Sequence, residues 1–517
     1  MKKLKLVCVA IAMACAAPSF AGGLLTNTNQ HVAFNRMMSR EASIGIDGVY
    51  YNPAGVVFMG EGHHLAINWQ LAFQTRTINN DYALFTNNVN NPITPRDFKG
   101  TAFAPVIPSF QYAYNKGKWS FQASFALTGG GGKCTFDDGL GSFEKIVAET
   151  AIAACQLAGA VDQVAGAYNV PAIFSSNQCF GTEGKYSYNS YMHGRQYYYG
   201  LSAGAAYKFS DNFSAFLGVR GVYALTNYYG YVENIQVGQM PLYKVLNPAK
   251  ESSANIELSC DQSGVGFTPI IGVDYKTGRW NFSAKYEFKT RIRLKNKSVN
   301  QIPSIGNLPD NLRNAYIANG VPEAAADAIL SNPKIQGAMV ALKTQFDSKI
   351  DGAIGEYEDG KKIAGDIPAY LALGVGYSPV DAVRVNVGFH WFDDKNATSY
   401  NTRNKELKRG TLEYNAGVEV DVNKKITLST GWQNTNYGLS DEYMDDKSFV
   451  VSSNSVAIGG VYHINKKMDL NVAYFHTFYQ HKKTSEKVQL TAEKSINYSS
   501  DYTRNNNVFA VGLDINF

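Results

Sequence analysis

From Trp280 to Lys295 the chain alternates with a period of two. Trp280, Phe282, Ala284, Tyr286, Phe288, Ile292 and Leu294 share one face. Asn281, Ser283, Lys285, Glu287, Lys289, Arg291, Arg293 and Lys295 share the other. A helix repeats every 3.6 residues and would scatter this pattern around its surface, whereas a strand sends successive side chains to opposite sides. One face is too aromatic for water and the other too charged for a packed core. The arrangement suits a wall with lipid on one side and an aqueous lumen on the other.

The same alternation recurs in pairs joined by tight turns. Ser109 to Tyr114 leads through Asn115-Lys116-Gly117 into Trp119 to Leu127, and Tyr197 to Phe209 through Ser210-Asp211-Asn212 into Phe213 to Leu225. Phe267 to Tyr275 precedes the Trp280 strand, and Ala369 to Tyr377 precedes Val383 to Trp391. Leu412 to Val422 precedes Ile426 to Trp432, and Val456 to Ile464 precedes Met468 to Phe478. An opening strand near Leu65 to Gln74 and a closing strand at Val508 to Phe517 bring the number to about fourteen. Tight turns alternate with longer connections, as periplasmic turns and extracellular loops do in an all-β transmembrane antiparallel barrel.

The first residues agree. Lys2, Lys3 and Lys5 precede an apolar run from Leu6 to Ala17 and a small-x-small site at Ser19-Phe20-Ala21, so residues 1–21 read as a secretory signal peptide. Cys15 allows lipoprotein processing as a weaker alternative. Removing the three lysines takes the formal charge from +5 to +2, which offers nothing to nucleic acid. No later run is long and apolar enough for a membrane helix, and the richness in Tyr, Phe and Gly suits an outer-membrane barrel of a Gram-negative cell. Its expected surroundings are outer-membrane lipid and lipopolysaccharide, with the aromatic-ended last strand offered to the barrel-assembly machinery and the chain acting as a monomer.

Two long loops, 129–192 and 297–365, exceed simple connections. The first opens with Gly129-Gly130-Gly131-Gly132 and predicts a helix from about Phe143 to Ala165. The second predicts one helix with Pro322 in its first turn. Another is capped by Asn332-Pro333 and carries Ile335, Met339, Leu342, Phe346 and Ile350 at helical spacing. Such loops read as a cap over the barrel mouth, as an apolar ligand-gathering groove, or as both. Cys134, Cys155, Cys179 and Cys260 remain after the signal; in an oxidising compartment they allow two disulfides in three connectivities, and none of their spacings suggests a metal site.

Between the signal and the first strand, residues 22–61 lack strand alternation and mix Asn, Arg, Glu and Asp with a Tyr50-Tyr51-Asn52-Pro53-Ala54-Gly55 run. About fourteen strands left unfilled would enclose an aqueous hole, and this segment is placed to plug it. The barrel proper is then 62–517.

Asn52-Pro53-Ala54 just ahead of the first strand, preceded by Glu41-Ala42-Ser43-Ile44-Gly45, resembles the hatch of the FadL family of outer-membrane long-chain fatty acid transporters, with its TodX-type relatives for aromatic hydrocarbons. Leu217-Gly218-Val219-Arg220-Gly221-Val222-Tyr223-Ala224 and the terminal Phe517 resemble that family too. The resemblance implies a hatch inside the lumen and passive, ligand-gated passage of a hydrophobic small molecule. It also implies sideways release beside an inward-kinked third strand, here running into Gly129, Gly130, Gly131 and Gly132, where glycine weakens pairing and permits a bend. The family's own carboxylate-binding positions cannot be matched onto this sequence.

A fatty-acid route needs an apolar sleeve and a cation for the carboxylate. Period two sends Arg220, Arg384, Lys285, Lys289, Arg291 and Arg293 to the lumen with Phe216 and Phe475, and the leading segment adds Leu24, Leu25, Phe34 and Met37. The same cations are equally placed to pair with Glu287, Glu413, Glu419 and Asp421. His63 and His64, adjacent on a strand, face opposite sides and make poor co-ligands. No nucleophile motif, cofactor motif or nucleotide-binding loop is present, so the reading is an unpowered channel rather than an enzyme. Its rivals are a general porin, an aromatic-hydrocarbon channel and an adhesive barrel.

Overall fold

Period-two sequence becomes strand throughout the chain. In the computed structural model, residues 24–303, 307–337, 339–340, 343, 355–490 and 494–517 are described. The signal peptide and the expected helical positions Leu342, Phe346 and Ile350 lie outside them. The barrel strands are β1 (Gly62–Tyr82), β2 (Arg96–Lys116), β3 (Trp119–Phe136), β4 (Tyr186–Lys208), β5 (Phe213–Val237) and β6 (Ile256–Thr277). They continue as β7 (Trp280–Glu287, resumed as Arg293–Gln301), β8 (Tyr370–Val380), β9 (Val383–Phe392), β10 (Thr411–Asn423) and β11 (Ile426–Asn436). The last are β12 (Ser453–Asn465), β13 (Met468–Tyr479, resumed as Lys482–Gln489) and β14 (Ser495–Asn516). Each pairs antiparallel with its neighbours. The cylinder closes where β14 meets β1 in a ladder from His64↔Asn516 to Tyr82↔Tyr498.

Alternation fixes the two surfaces. On β1, Ile67, Trp69 and Phe73 face out while Asn68, Gln70, Gln74 and Arg76 are buried inside. At the short-turn rim aromatic rings gather, with Trp280 stacked on Tyr377 at 4.2 Å and Trp119 tilted on Tyr207 at 4.7 Å. An outward apolar band with an aromatic girdle on a cylinder that closes on itself is a transmembrane barrel of the outer-membrane type.

The wall is uneven. β5 has 25 residues and β9 only 10, so at roughly 3.3 Å per residue one side stands more than twice as tall as the other. Above the tall side, α3 (Gly141–Gly166) packs with α4 (Leu308–Ala318) and α5 (Glu323–Leu330) into one apolar cap that includes Phe143, Val147, Leu312, Tyr316 and Ile329. α3 and α5 fall where the sequence predicts helices, and residues 333–337 are helical after Asn332. α4 has no counterpart in the sequence reading. The loop bounds also shift, since β3 runs on to Phe136 and β7 resumes to Gln301.

One expected face is inverted. Residues 288–292 interrupt β7, and beyond them Ile292, Leu294 and Asn296 are buried while Arg291, Arg293 and Lys295 are exposed. An interruption that shifts phase by one residue exchanges the two faces of everything after it. Arg291 and Arg293 therefore point away from the lumen, contrary to strict alternation. The four cysteines are buried free thiols.

Candidate functional site: a filled lumen beside a gap in the wall

The segment ahead of β1 lies against the inward faces of the strands. α1 (Val32–Met37) and α2 (Gly48–Tyr51) are short and wholly buried. Glycines on the inner wall make room for them; a Cβ at Gly417 or Gly431 would overlap the Met37 carbonyl. The Asn52-Pro53-Ala54 run is fastened at every residue. Asn52 Nδ2 donates to Asp274 at 2.6 Å, Gln122 Nε2 donates to the Pro53 carbonyl at 2.7 Å, and Ser214 donates to the Ala54 carbonyl at 2.7 Å.

Charges knit the segment to the wall. Arg40 pairs with Asp47 at 2.7 Å and Arg36 pairs with Glu419. His390 stands 2.7 Å from Glu41 and 2.8 Å from Glu413, so one wall histidine bridges a carboxylate of the segment and one of the wall. Lys285 donates to the Tyr50 carbonyl at 2.6 Å and to Glu287 at 2.9 Å. A buried charge is tolerated when it is paired and hydrogen-bonded, and these satisfy that condition.

Most of the proposed ligand cations are committed to this network. Arg220 forms a two-pronged pair with Glu287 at 2.6 and 3.0 Å. Arg384 binds Glu419 at 3.0 Å and Asp421 at 2.6 and 2.7 Å. Lys289 donates to the Asn396 carbonyl at 3.1 Å, and Arg293 pairs with Asp366 at 3.0 Å from the outer side. Phe216 packs with Ala54, Val57 and Ile270, and Phe475 with Phe34 and Tyr51, so both seat the segment.

Leu24 and Leu25 line a cavity of about 360 Å³ at the foot of the loops, with Tyr198, Leu294, Ile363 and Phe449. Asp394 anchors it by accepting from the Leu24 amide at 3.2 Å and the Thr411 amide at 2.9 Å. Burial pushes the Asp394 carboxyl up to about 6, against the hydrogen bonds that lower it. Burial likewise pushes Glu356, on the same cavity, up to about 7, opposed by Lys447.

The wall opens beside this segment. β2 and β3 pair from Lys116↔Trp119 to Ser109↔Ala126 and again from Phe103↔Lys133, with no ladder between them over Ala104–Pro108 and Leu127–Gly132. Pro105 and Pro108 supply no amide hydrogen on one side. On the other, Gly130 (φ 69°) and Gly132 (φ 91°) adopt left-handed backbone that other residues resist. β3 shifts register against β4 at the same place and meets the leading segment. Thr26 bridges Gly129, and the Asn27 amide donates to the Thr128 carbonyl at 2.9 Å. Apolar Ala104, Ile107 and Leu127 join Phe34, Tyr51, Ala72 and Val508 in one cluster behind the gap.

Asn27, the His390 bridge and the two prolines are absent from the candidates read in sequence. The prolines carried a usable signal, since two within an alternating strand mark positions that cannot donate to a ladder.

A closed barrel with a lipid-facing band, long loops at one rim and its own leading segment in the lumen belongs to the class of stoppered outer-membrane barrels. The comparisons agree on the barrel fold. The chain is similar to a FadL homologue of Pseudomonas aeruginosa, at 14% identity and a TM-score of 0.58 over 98% of this chain and 100% of that one. It is also similar to a TodX deltaS2S3 mutant, a monoaromatic hydrocarbon channel, at 14% identity and a TM-score of 0.53 over 96% of this chain and 100% of that one. No family model and no curated protein matches the sequence.

Proposed function

We propose that this protein is an outer-membrane channel for hydrophobic small molecules, long-chain fatty acids foremost, and that its leading segment is a hatch. Ligand enters from the loop side into the cavity touched by Leu24 and Leu25, disturbs the hatch, and leaves sideways between β2 and β3 into the bilayer. The observation that carries this reading is the interrupted β2–β3 ladder, which coincides with an apolar cluster inside and with hydrogen bonds from residues 26–27. A water-filled pore has no use for a break facing lipid. A hydrophobic solute has, because hydrocarbon is its favoured destination.

The test closes the break. In a Gram-negative host lacking its own fatty-acid channel, Pro105→Val and Pro108→Val are combined with alternating Val and Thr at positions 129–132. Uptake of radiolabelled oleate should fall to the level of empty-vector cells while the barrel still shows heat-modifiable migration. Undiminished uptake would remove the lateral route.

A further inference from the structure

The outward face of the tall wall changes chemistry abruptly. Along β6 it runs through exposed Ile271, Phe267 and Val265 and then turns polar at Ser263 and Asp261. Val265 is in register with Tyr223 on β5, which faces Tyr199 on β4, and outward tyrosines mark a membrane–water interface. Beside Ser263 and Asp261, the resumed part of β7 turns Arg293, Lys295 and Lys297 outward, with Arg291 exposed just ahead of it. On its other edge the short strand Lys362–Ala364 sets exposed Lys362 directly opposite Lys295.

Like charges directly opposed on neighbouring strands repel. The carboxylates nearby have other partners. Asp366 takes Arg293 at 3.0 Å and the Ile292 amide at 3.1 Å. Asp261, opposite Lys297, accepts from Asn227 at 2.8 Å, and Asp359 accepts from the Ser298 amide at 2.8 Å. Among the described residues no ion pair reaches Arg291, Lys295, Lys297 or Lys362.

Their height fixes what they face. At the short-turn rim β6 and β7 share the rung Thr277↔Trp280. A Cβ on Gly266 would meet the Arg291 carbonyl at 2.9 Å, and Gly266 lies eleven residues along β6 from Thr277. At roughly 3.3 Å per residue and a tilt of about 40°, that is a rise of roughly 28 Å, with Lys295 roughly 8 Å higher. The apolar band of such a barrel is about 25 Å tall. The cations therefore begin where hydrocarbon ends, on the loop side.

We propose that Arg291, Arg293, Lys295, Lys297 and Lys362 form a docking surface on the outside of the barrel for the phosphorylated glucosamine headgroup of lipid A. Its acyl chains lie against Phe267, Val265 and Ile271. Lipid A carries its phosphates at this level of the outer leaflet. A phosphate between Lys295 and Lys362 replaces their mutual repulsion with two attractions, and guanidinium forks match phosphate oxygens. The surface lies outside the lumen, so it stands apart from the transport reading.

The test measures binding of bisphosphorylated lipid A, of the same lipid without phosphates, and of dioleoylphosphatidylglycerol to the purified full-length barrel in detergent, by native mass spectrometry. Wild type should bind bisphosphorylated lipid A most tightly. The triple variant Lys295→Gln, Lys297→Gln, Lys362→Gln should bind it roughly tenfold to hundredfold more weakly, the scale of basic residues at an anionic membrane surface. Dephosphorylated lipid A should stay within about twofold of wild type. Arginine at the same three positions should keep the affinity and guards against a disturbed fold. Lys424→Gln, Lys425→Gln, Lys466→Gln removes as many charges at the short-turn rim and should change nothing. Unchanged affinity in the first variant, or an equal loss in the rim variant, would overturn the surface. Phosphatidylglycerol bound as tightly and lost in the same variant would overturn its assignment to lipid A.

Discussion

Asn27 Nδ2 donates to the Gly130 carbonyl oxygen at 2.6 Å, joining the start of the lumen segment to the stretch of β3 that has left its ladder with β2. A second contact from the same amide reaches the Leu127 carbonyl at 3.3 Å. One buried side chain therefore ties the lumen segment to two points on the unpaired stretch of β3.

Asn27→Ala should uncouple them. Removing the donor leaves the buried Gly130 carbonyl without it, at a cost of about 1–3 kcal/mol. The expected phenotype is a leakier barrel, read as more frequent current transients in planar bilayers, with a modestly lowered thermal midpoint. A silent trace like wild type would show that the contact does not hold the wall.

Acidity should tune the loop-side cavity. Asp394 and Glu356 titrate near 6 and 7, above their ordinary values of 3.8 and 4.5, chiefly because they are buried. Raised folded-state values mean that the native protein holds more protons than the unfolded chain between about pH 4 and 7, so their contribution to stability falls as pH rises through that window. Lowering the pH from 8 to 5 neutralises both groups and makes the cavity less polar. A neutral hydrophobic fluorophore should then bind more tightly at pH 5, and Asp394→Asn with Glu356→Gln should abolish the difference. A pH dependence that survives in the double variant would assign it elsewhere.

Arg220 and Arg291 should separate cleanly. Arg220→Ala leaves the buried Glu287 with Lys285 as its remaining cation and should cost less than the roughly 3–5 kcal/mol of a fully stranded charge, seen as a lower unfolding temperature. Arg291→Ala, on the exposed face, should change neither stability nor oleate affinity. A drop in oleate affinity for Arg291→Ala would contradict the inverted face beyond residue 288.

Two of the four cysteines are placed as neighbours. The Cys155 thiol lies 3.4 Å from the carbonyl of Phe180, next in the chain to Cys179, whereas Cys134 and Cys260 sit on separate strands. Both thiols are free in the structure, and they are the pair we expect to bridge in protein exported through an oxidising compartment. Denatured, unreduced protein should then show two titratable thiols; four would contradict the bridge.

The barrel was legible because lipid and water write opposite chemistry on alternate residues. Fourteen strands, their short turns and the closing seam all follow from that contrast. It fades where a strand rises out of the lipid. Past Gln74, outward Thr75, Thr77 and Asn79 no longer contrast with inward Arg76, so Arg76 fell beyond the visible end of β1. Strict alternation also carries no warning of a phase shift, which is why Arg291 and Arg293 were assigned to the wrong side. The site was less legible still, because Asn27, Glu41 and His390 act through partners about a hundred residues or more away.

The chain's own start fills the lumen. Single-channel conductance of the barrel lacking residues 22–55, compared with the full protein under the same voltage, tests this most directly. The full protein should be almost silent and the shortened one a stable open pore. Two indistinguishable traces would contradict the stopper and the gated route built on it.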